Sequence, residues 1–283
     1  DAGGLHYRVD ARMTRINRAI AQLERDQPIF YTGGHAGAEL TVEAGRAMQT
    51  TWADYINVGM EHGTFDVAGL EAFMRGLSEA AGDTPAVLVE LPSTGTSREA
   101  MAANTWQITQ LLGRGVHGLL LCHAESRGAV EVFVDATRYS FRGGSRGNGS
   151  QGTAAAIWGL SPDDYMERAD PWPLNPGGEL LLGLKIENRR ALEHVDETVS
   201  VPGIAFAEWG PGDMAMSFGF RPTRENWERP ELREARNRVL NACRDAGVRF
   251  LEAAEPDEVA TKYDEGVRVF AAGEEAARIG REY

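Results

Sequence analysis

Leu180 to Glu187 reads LLLGLKIE, an almost continuous apolar run that ends in a carboxylate. The run lacks the apolar–polar alternation of a strand with one wet face, so it predicts a parallel strand that is buried on both sides. A carboxylate directly after such a strand is costly unless it is paired or bound to a cation. The segment therefore predicts a parallel sheet with a candidate functional residue, Glu187, at its carboxyl end.

Other short apolar runs lie before and after this one, at 29–31, 55–58, 86–89, 118–121, 204–207, 248–251 and 267–270. Helix-like stretches alternate with them, at 10–25, 67–81, 100–113, 129–137, 189–198 and 231–246. Gly82, Gly115 and Gly247 stand where helix C-caps are expected. Eight strands alternating with helices predict an α/β fold, a (β/α)8 TIM barrel with an N-terminal helix. A doubly wound open sheet is the alternative.

One region interrupts this rhythm. Residues 142–152 read RGGSRGNGSQG, and the stretch that follows to Gly178 is rich in Pro, Gly, Asp and Trp. The strand pattern resumes afterwards, so we expect segment 142–178 to be a long βα loop that carries functional residues or oligomer contacts. The chain of 283 residues has a normal length for one barrel, which predicts a single domain over residues 1–283.

Composition excludes several functional classes. The net charge of −13 argues against binding to nucleic acid or to an anionic membrane surface, because both require clustered Lys and Arg. No apolar run approaches the roughly 18–20 residues that span a bilayer. The two cysteines, Cys122 and Cys243, form no CxxC motif, and this favours a reducing, cytoplasmic location. The chain begins with Asp1, so a removed leader peptide stays an open alternative.

Polar residues of the types used in catalysis and metal binding follow several of the predicted strands: Glu61, His62, Glu90, His123, Glu187 and Asp213. The carboxyl ends of barrel strands meet at one face, where barrel enzymes place their active sites. Glu187 and Asp213 together suit an oxygen-preferring cation, Mg²⁺ or Mn²⁺, with Co²⁺ or Zn²⁺ as alternatives. A salt bridge of Glu187 with Lys185 or Arg189 and an N-cap role for Asp213 are the competing interpretations.

The remaining candidates are catalytic or substrate-binding groups. His62 could be a general base near neutral pH, His123 could bind substrate or metal, and Glu90 could be a second acid–base group. For the histidines, the alternative is a structural hydrogen bond. Arg146, in the glycine-rich segment, could clamp a carboxylate or lie in solvent. Backbone N–H groups of the turn formed by Gly210, Pro211 and Gly212 could receive a substrate carboxylate.

The chain resembles the HpcH/HpaI aldolase family from about Ala44 to Gly273. The motifs that carry the resemblance follow one another in order: Glu61-His62, Arg138-Tyr139 with Arg146 to Gly149, Lys185-Ile186-Glu187, and Gly210 to Met214. This family includes 2-keto-3-deoxy sugar-acid and 4-hydroxy-2-oxo-acid aldolases, and it is related to citrate lyase β-type enzymes.

The resemblance implies that Glu187 and Asp213 bind the metal and that His62 is the base. It implies a reversible retro-aldol cleavage in which the metal chelates a small 2-oxo acid, releasing pyruvate or a similar product and an aldehyde. The family base removes the hydroxyl proton, and the cation stabilises the enolate without a Schiff-base lysine. Relatives also resemble ring-like homo-oligomers, hexamers or trimers, that exchange a C-terminal helix. The segment from Gly273 to Tyr283 is the corresponding stretch.

The chain departs from the family pattern near these residues. The usual arginine after strand three is absent from the run Val87 to Pro92, and Lys185 replaces a usual Gln. Gly59 and Gly113 stand where the family usually has aspartates, and Cys122-His123 replaces Pro-Met. Our hypothesis is that His123 and Glu90 replace part of this apparatus. A different carbon–carbon bond enzyme, such as a decarboxylase, a thioester-type lyase or a cyclisation catalyst, is the second hypothesis. A non-catalytic binding protein is the third.

Overall fold

Eight parallel strands form a closed barrel in the computed structural model, which describes residues 14–80 and 83–283. The strands, including one short strand outside the barrel, are β1 (Ile29–Gly34), β2 (Tyr55–Gly59), β3 (Ala86–Thr94), β4 (Gly118–Cys122), β5 (Pro171–Trp172), β6 (Leu180–Ile186), β7 (Phe206–Trp209), β8 (Arg249–Ala253) and β9 (Val267–Ala271). Their neighbour order is β4-β3-β2-β1-β9-β8-β7-β6, and pairing of β4 with β6 closes the ring. The predicted TIM barrel is confirmed, and the open sheet is excluded.

Helices connect the strands and cover the barrel. The described helices are α1 (Arg18–Leu23), α2 (Val42–Ala47), α3 (Val67–Ser78), α4 (Arg98–Leu112), α5 (Arg127–Thr137), α6 (Gln151–Trp158), α7 (Pro162–Arg168), α8 (Arg189–Glu193), α9 (Val195–Val199), α10 (Pro211–Ser217), α11 (Arg224–Trp227), α12 (Pro230–Ala246), α13 (Val259–Glu265) and α14 (Glu274–Glu282). Asp66, Ser97 and Ser126 begin α3, α4 and α5 as N-caps whose side chains accept a first-turn N–H.

Several predicted helix bounds change in the structure. The helix predicted over 10–25 is the shorter α1, and residues 10–13 lie outside the described part of the chain. The helix predicted over 189–198 is divided into α8 and α9 at His194. Gly247 is the left-handed C-cap of α12, as expected, whereas the cap of α4 is Gly113 and not Gly115. The predicted cap Gly82 lies outside the described residues.

Alternation along each strand divides the core into two layers. One set of side chains points outward and packs beneath the helices, and the other fills the barrel interior. Apolar residues from α1, among them Ile20 and Leu23, pack with the interior set and close the amino-terminal end of the barrel. The interior apolar residues of the barrel strands include Tyr31, Tyr55, Leu88, Leu120, Leu181, Phe206, Leu251 and Val269. The carboxyl-terminal half of the interior is therefore left for polar side chains.

Segment 142–178 follows α5 and leads, through α6, α7 and β5, into β6. It is therefore an αβ connection, and the expectation of a βα loop is corrected. Connections of this type lie at the amino-terminal end of a parallel barrel, opposite the face where strand-end residues meet. Trp158 illustrates this position, since its indole N–H donates to the carbonyl of Gly115, just ahead of β4.

Helix α14 packs on its own barrel. Gly280 faces the ring of Phe30, which leaves no room for a larger side chain, because a Cβ there would lie 2.3 Å from the ring. Arg281 donates to the carbonyl of Trp52 at 2.7 Å and to Asp54 at 3.0 Å. Exchange of this helix between subunits, and the hexamer or trimer, stay predictions. Among the described helices, none has the length and apolar character needed to cross a membrane.

Closure of the barrel between β4 and β6 predicts the effect of one substitution. A Cβ at Gly118 would lie 2.2 Å from the backbone oxygen of its partner Leu181. We expect Gly118→Ala to lower the free energy of unfolding by about 2 kcal/mol, because the two backbones must separate. Gly152→Ala is the matched control, since a Cβ at this position in α6 meets nothing within 4 Å. It should stabilise the protein slightly. Urea unfolding of both variants measures the difference, and equal stabilities would contradict the prediction.

Candidate active site

The polar cluster at the carboxyl end of the barrel follows from strand periodicity. Lys185 points into the barrel because it lies four residues after the interior Leu181 on β6. The same alternation places Glu90 after Leu88 on β3. Two further residues belong to the same interior layer, Asn57 on β2 and Glu208 on β7. Buried polar side chains from four strands therefore lie directly above the apolar interior.

Lys185 is the central cation of this cluster. Its Nζ lies 3.3 Å from Glu61 Oε2, 3.7 Å from Glu90 Oε2 and 3.9 Å from Glu187 Oε2. Only 4% of the residue is exposed. Burial lowers the pKa of the ammonium, but the surrounding carboxylates, Glu208 first, hold it well above its usual range. The surrounding carboxylates therefore favour the charged ammonium of Lys185. The salt bridge considered for Glu187 and Lys185 is one contact in a larger network.

Among the described residues, Glu61, His123 and Glu187 form a group that could hold a metal ion, and the expected ligand Asp213 is not part of it. One ligand atom from each lies within 4.8 Å of the others, a spacing that a single cation can bridge. Burial raises the pKa of Glu61, but the hydrogen bond with His123 and the charge of Lys185 lower it to about 2. Burial raises the pKa of Glu187. Glu61 followed a strand in the sequence, but it was not among the expected ligands.

The hydrogen bonds of His123 determine what it presents to this group. Asn188 uses its side-chain oxygen to cap α8 at Ala191 N, so its amide N–H₂ faces His123 Nδ1 at 3.0 Å. Nδ1 is therefore an acceptor, and Nε2, which lies 3.4 Å from Glu61 Oε1, carries a proton. An N–H cannot ligate a cation. In this geometry His123 faces Glu61 as a hydrogen-bond donor, and it would have to lose the Nε2 proton to bind a cation.

The backbone of His123 also serves the site. Its φ of +46° lies in the left-handed region, which non-glycine residues rarely adopt. This conformation allows its N–H to donate to Glu187 Oε1 at 2.8 Å. Strained backbone of this kind occurs at functional sites when the surrounding structure holds it in place. The bond fixes Glu187 at the end of β6.

Glu90 accepts two hydrogen bonds in its buried position. His35 Nδ1 lies 2.6 Å from Glu90 Oε1, and Asn57 Nδ2 donates to the same oxygen at 2.9 Å. Burial raises the pKa of Glu90, but His35 and Lys185 bring it below its ordinary value. His35 was not among the expected site residues, because β1 continues past its apolar residues through Gly34. As a polar residue that directly follows a barrel strand, His35 could have been identified if the full length of β1 had been known.

The turn that precedes Asp213 lies beside Glu187. Gly210 is the N-cap of α10, and a Cβ there would lie 2.6 Å from Glu187 Cβ, so only glycine allows this approach. Asp213 is in the first turn of α10. The pKa of His123 is raised mainly by its hydrogen bond with Glu61, and the charge of Asp213 adds a smaller effect. The Gly210 N–H already donates to Ile186, and Pro211 has no N–H. Gly212 and Asp213 therefore supply the amides that could receive a carboxylate.

The two other expected site residues lie in different places. His62 is more than half exposed at the rim, with Nε2 3.5 Å from Glu61 Oε2. Arg146 is buried at the other end of the barrel, with its guanidinium over the ring of Tyr139 and one nitrogen donating to Tyr165. The Tyr165 hydroxyl in turn donates to Leu112, at the end of α4. The expectation that Arg146 binds substrate in this site is corrected, because segment 142–178 is an αβ connection.

The cluster predicts a pH dependence of stability. Burial raises the pKa of Glu208 to about 7 from an ordinary 4.5, so its contribution to stability is complete below pH 4.5 and is lost as pH rises to 7. We expect the free energy of unfolding to fall by roughly 3 kcal/mol because of this group, at about 1.4 kcal/mol per pKa unit. Glu208→Gln should remove that part of the dependence. Urea unfolding in EDTA between pH 4.5 and 8 measures it, with exposed Glu193→Gln as control. Parallel profiles for the wild type and Glu208→Gln would contradict the prediction.

Comparison with known proteins identifies the family. The family model of HpcH/HpaI aldolase/citrate lyase matches residues 46–282. The chain is 32% identical over 136 residues to 2-keto-3-deoxy-L-rhamnonate aldolase of Salmonella typhimurium, covering 48% of this chain and 45% of the relative. It therefore spans about half the length of the curated relatives that it matches.

Solved structures show the same fold. An HpcH/HpaI aldolase/citrate lyase family protein from Burkholderia cenocepacia J2315 superposes with a TM-score of 0.71 at 22% identity, over 94% of this chain and 96% of that one. Macrophomate synthase superposes with a TM-score of 0.69 at 21% identity, over 94% and 88%. These identities carry the fold alone, whereas the family model covers most of the chain. The chain belongs to the HpcH/HpaI aldolase/citrate lyase family.

Proposed function

We propose that this protein is a divalent-metal-dependent carbon–carbon lyase, a class II pyruvate-type aldolase. It would cleave a 4-hydroxy-2-oxo acid to pyruvate, or a related 2-oxo acid, and an aldehyde. The observation that carries the proposal is the excess of carboxylates, Glu61 and the buried Glu90 and Glu187, around the single ammonium of Lys185. Negative charge in excess at a barrel mouth fits a cation and a ligand bound to it. Family membership and the aldolase relatives support the same reaction.

Glu187 and Asp213 are the proposed metal ligands. Glu187 is fixed by the His123 N–H and is adjacent to the Gly210 turn that leads to Asp213. His123 presents an N–H to the cluster, so the ligands are oxygen atoms, and this favours Mg²⁺ or Mn²⁺ over Zn²⁺ or Co²⁺. When bound, such a cation supplies Lewis-acid polarisation of the keto oxygen of a 2-oxo acid.

The side chains around the cation site have complementary roles in this proposal. The Gly212 and Asp213 amides receive the substrate carboxylate at the beginning of α10. Lys185 makes one long hydrogen bond, at 3.3 Å, and so retains N–H groups for the oxygen that becomes negative in the transition state. His123 Nε2–H can donate to the same region. His62, exposed at the rim, removes the proton from the C4 hydroxyl.

A second candidate function is a different carbon–carbon bond reaction on the same metal frame, such as a decarboxylation, a thioester-type cleavage or a cyclisation. The observation that favours it is Glu90, a buried carboxylate in the middle of β3, in the run where the family usually has an arginine. Lys185 compensates for this change in charge from β6, 3.7 Å away. The substrate oxygen would therefore contact the ammonium of Lys185, on β6, where the family uses an arginine in the β3 run.

Two wider features belong to the proposal. Both cysteines are unpaired and buried, and this supports a reducing, cytoplasmic location.

A homo-oligomer, a hexamer or trimer, follows from the family resemblance, and the substrate would be a small molecule. Size-exclusion chromatography with light scattering measures the assembly, and a monomer at micromolar concentration would contradict that part.

The reaction predicts metal-dependent release of pyruvate. We expect purified protein with Mg²⁺ or Mn²⁺ to release pyruvate from at least one of a panel of 4-hydroxy-2-oxo acids, as measured by coupled reduction with lactate dehydrogenase. EDTA should abolish the release, and added cation should restore it, because enolate charge needs the Lewis acid. Absence of release across the panel, together with turnover of oxaloacetate or an acyl thioester, would favour the second candidate.

The assignment of ligands predicts metal content. Glu187→Gln and Asp213→Asn should each bind Mn²⁺ at least about tenfold more weakly, because each removes a charged oxygen from the cation. Exposed Glu193→Gln is the control and should bind as the wild type does. Mass spectrometry of the metal and calorimetric titration measure both. Full occupancy in both site variants would place the cation elsewhere.

A further inference from the structure

His35 and Glu90 form a histidine–carboxylate pair that the proposed reaction has not used. His35 is the first residue after β1, and its Nδ1 lies 2.6 Å from Glu90 Oε1. Glu90 is fully buried and is also held by Asn57 at 2.9 Å, so the carboxylate is fixed in place. The imidazole is 47% exposed, so Nε2 is free to exchange a proton. A buried carboxylate that orients an accessible imidazole is the arrangement of an acid–base catalyst.

The pair faces the proposed cation site across the mouth of the barrel. In the ring of eight strands β1 stands opposite β6, which carries Lys185 and leads to Glu187. The charges that act on His35 come from β3 (Glu90), β7 (Glu208) and β6 (Lys185). A substrate held at Glu187 would therefore lie between the cation site and His35.

Gly59 makes room for this arrangement. A Cβ at Gly59 would lie 2.0 Å from the carbonyl oxygen of His35, so any larger residue at the end of β2 would displace the loop after β1. His35 can therefore reach over β2 to Glu90 on β3 because residue 59 has no side chain. The two features, a glycine at 59 and a carboxylate at 90, act together to place one imidazole.

We propose that His35 is the proton donor that converts the enolate product into the 2-oxo acid. The inference rests on the proposed function. In the cleavage, the C3–C4 bond breaks, its electron pair becomes the C2–C3 enolate, and His62 takes the proton of the C4 hydroxyl. His35 then delivers its Nε2 proton to C3, where a new C–H bond forms, and is left neutral. The net change is one acid converted to pyruvate and an aldehyde, and solvent returns each histidine to its starting state.

Two histidines suit this reaction because one must start neutral and the other charged. The hydrogen bond between Glu90 and His35 Nδ1, 2.6 Å long, raises the pKa of His35 and so favours the charged form that a proton donor needs. His62 has a longer contact, 3.5 Å from Glu61, and lies on the neighbouring strand end. The roles of base and acid can therefore be divided between the ends of β2 and β1.

Proton exchange at the pyruvate methyl group tests this role apart from cleavage. Removal and return of a C3 proton needs His35 and the cation site but no C4 hydroxyl. In deuterated water, wild-type protein with Mn²⁺ should exchange the methyl protons of pyruvate, as followed by mass spectrometry. His35→Asn keeps a donor for Glu90 but cannot transfer a proton, and we expect exchange to fall about 100-fold. His35→Gln is the second variant.

The controls separate the possible outcomes. His194→Gln, on the outer helices, should exchange as the wild type does, and His62→Gln should lose cleavage at least tenfold more than exchange. Circular dichroism and Mn²⁺ titration check that the His35 variants fold and bind the cation. Exchange within threefold of wild type in both His35 variants overturns the inference, as does a wild type that releases pyruvate but exchanges none. Wild-type exchange without cleavage of any substrate contradicts the proposed function, yet its loss in His35→Asn still supports the role of His35.

Discussion

The buried ammonium of Lys185 is the interaction on which this site depends. It lies 3.3–3.9 Å from three glutamates at the mouth of the barrel. Carboxylates at this depth would be protonated or would destabilise the fold without a nearby positive charge. One cation does not neutralise them all, and burial raises the pKa of the neighbouring Glu208 to about 7. The same excess of negative charge that makes the site costly makes it suitable for a divalent cation.

The two halves of the barrel interior have separate tasks. Tyr55, Leu181 and other apolar side chains fill the amino-terminal half, where α1 closes the end. Farther along the strands, toward their carboxyl ends, the same faces carry Asn57, Glu90 and Lys185. A well-packed apolar base can hold a charged layer in fixed geometry, because the cost of burying it is met by the core beneath. Site and stability are therefore adjacent layers of one barrel.

Two of the histidines at the mouth, His123 and His35, differ in the partner of their Nδ1 atom. His123 accepts a hydrogen bond from Asn188 and presents an N–H to the cluster. His35 is bound through Nδ1 to a buried carboxylate, which favours its charged form. A glutamate raises the pKa of both, but His123 meets Glu61 through Nε2, whereas His35 meets Glu90 through Nδ1 and keeps Nε2 for a substrate. The distinction comes from the partner atom at Nδ1.

Continuous apolar runs determined the barrel and the strand-end position of Glu187, because buried parallel strands and their carboxyl ends are local properties of a sequence. The motif order determined the family resemblance. Only the tertiary structure decided which polar residues meet: it brought His35 to Glu90 over Gly59 and surrounded Lys185 with carboxylates. It also placed Arg146 at the amino-terminal end of the barrel, opposite the candidate site. The physical reason is that contacts between strands depend on register, strand length and loop direction, which no single segment encodes.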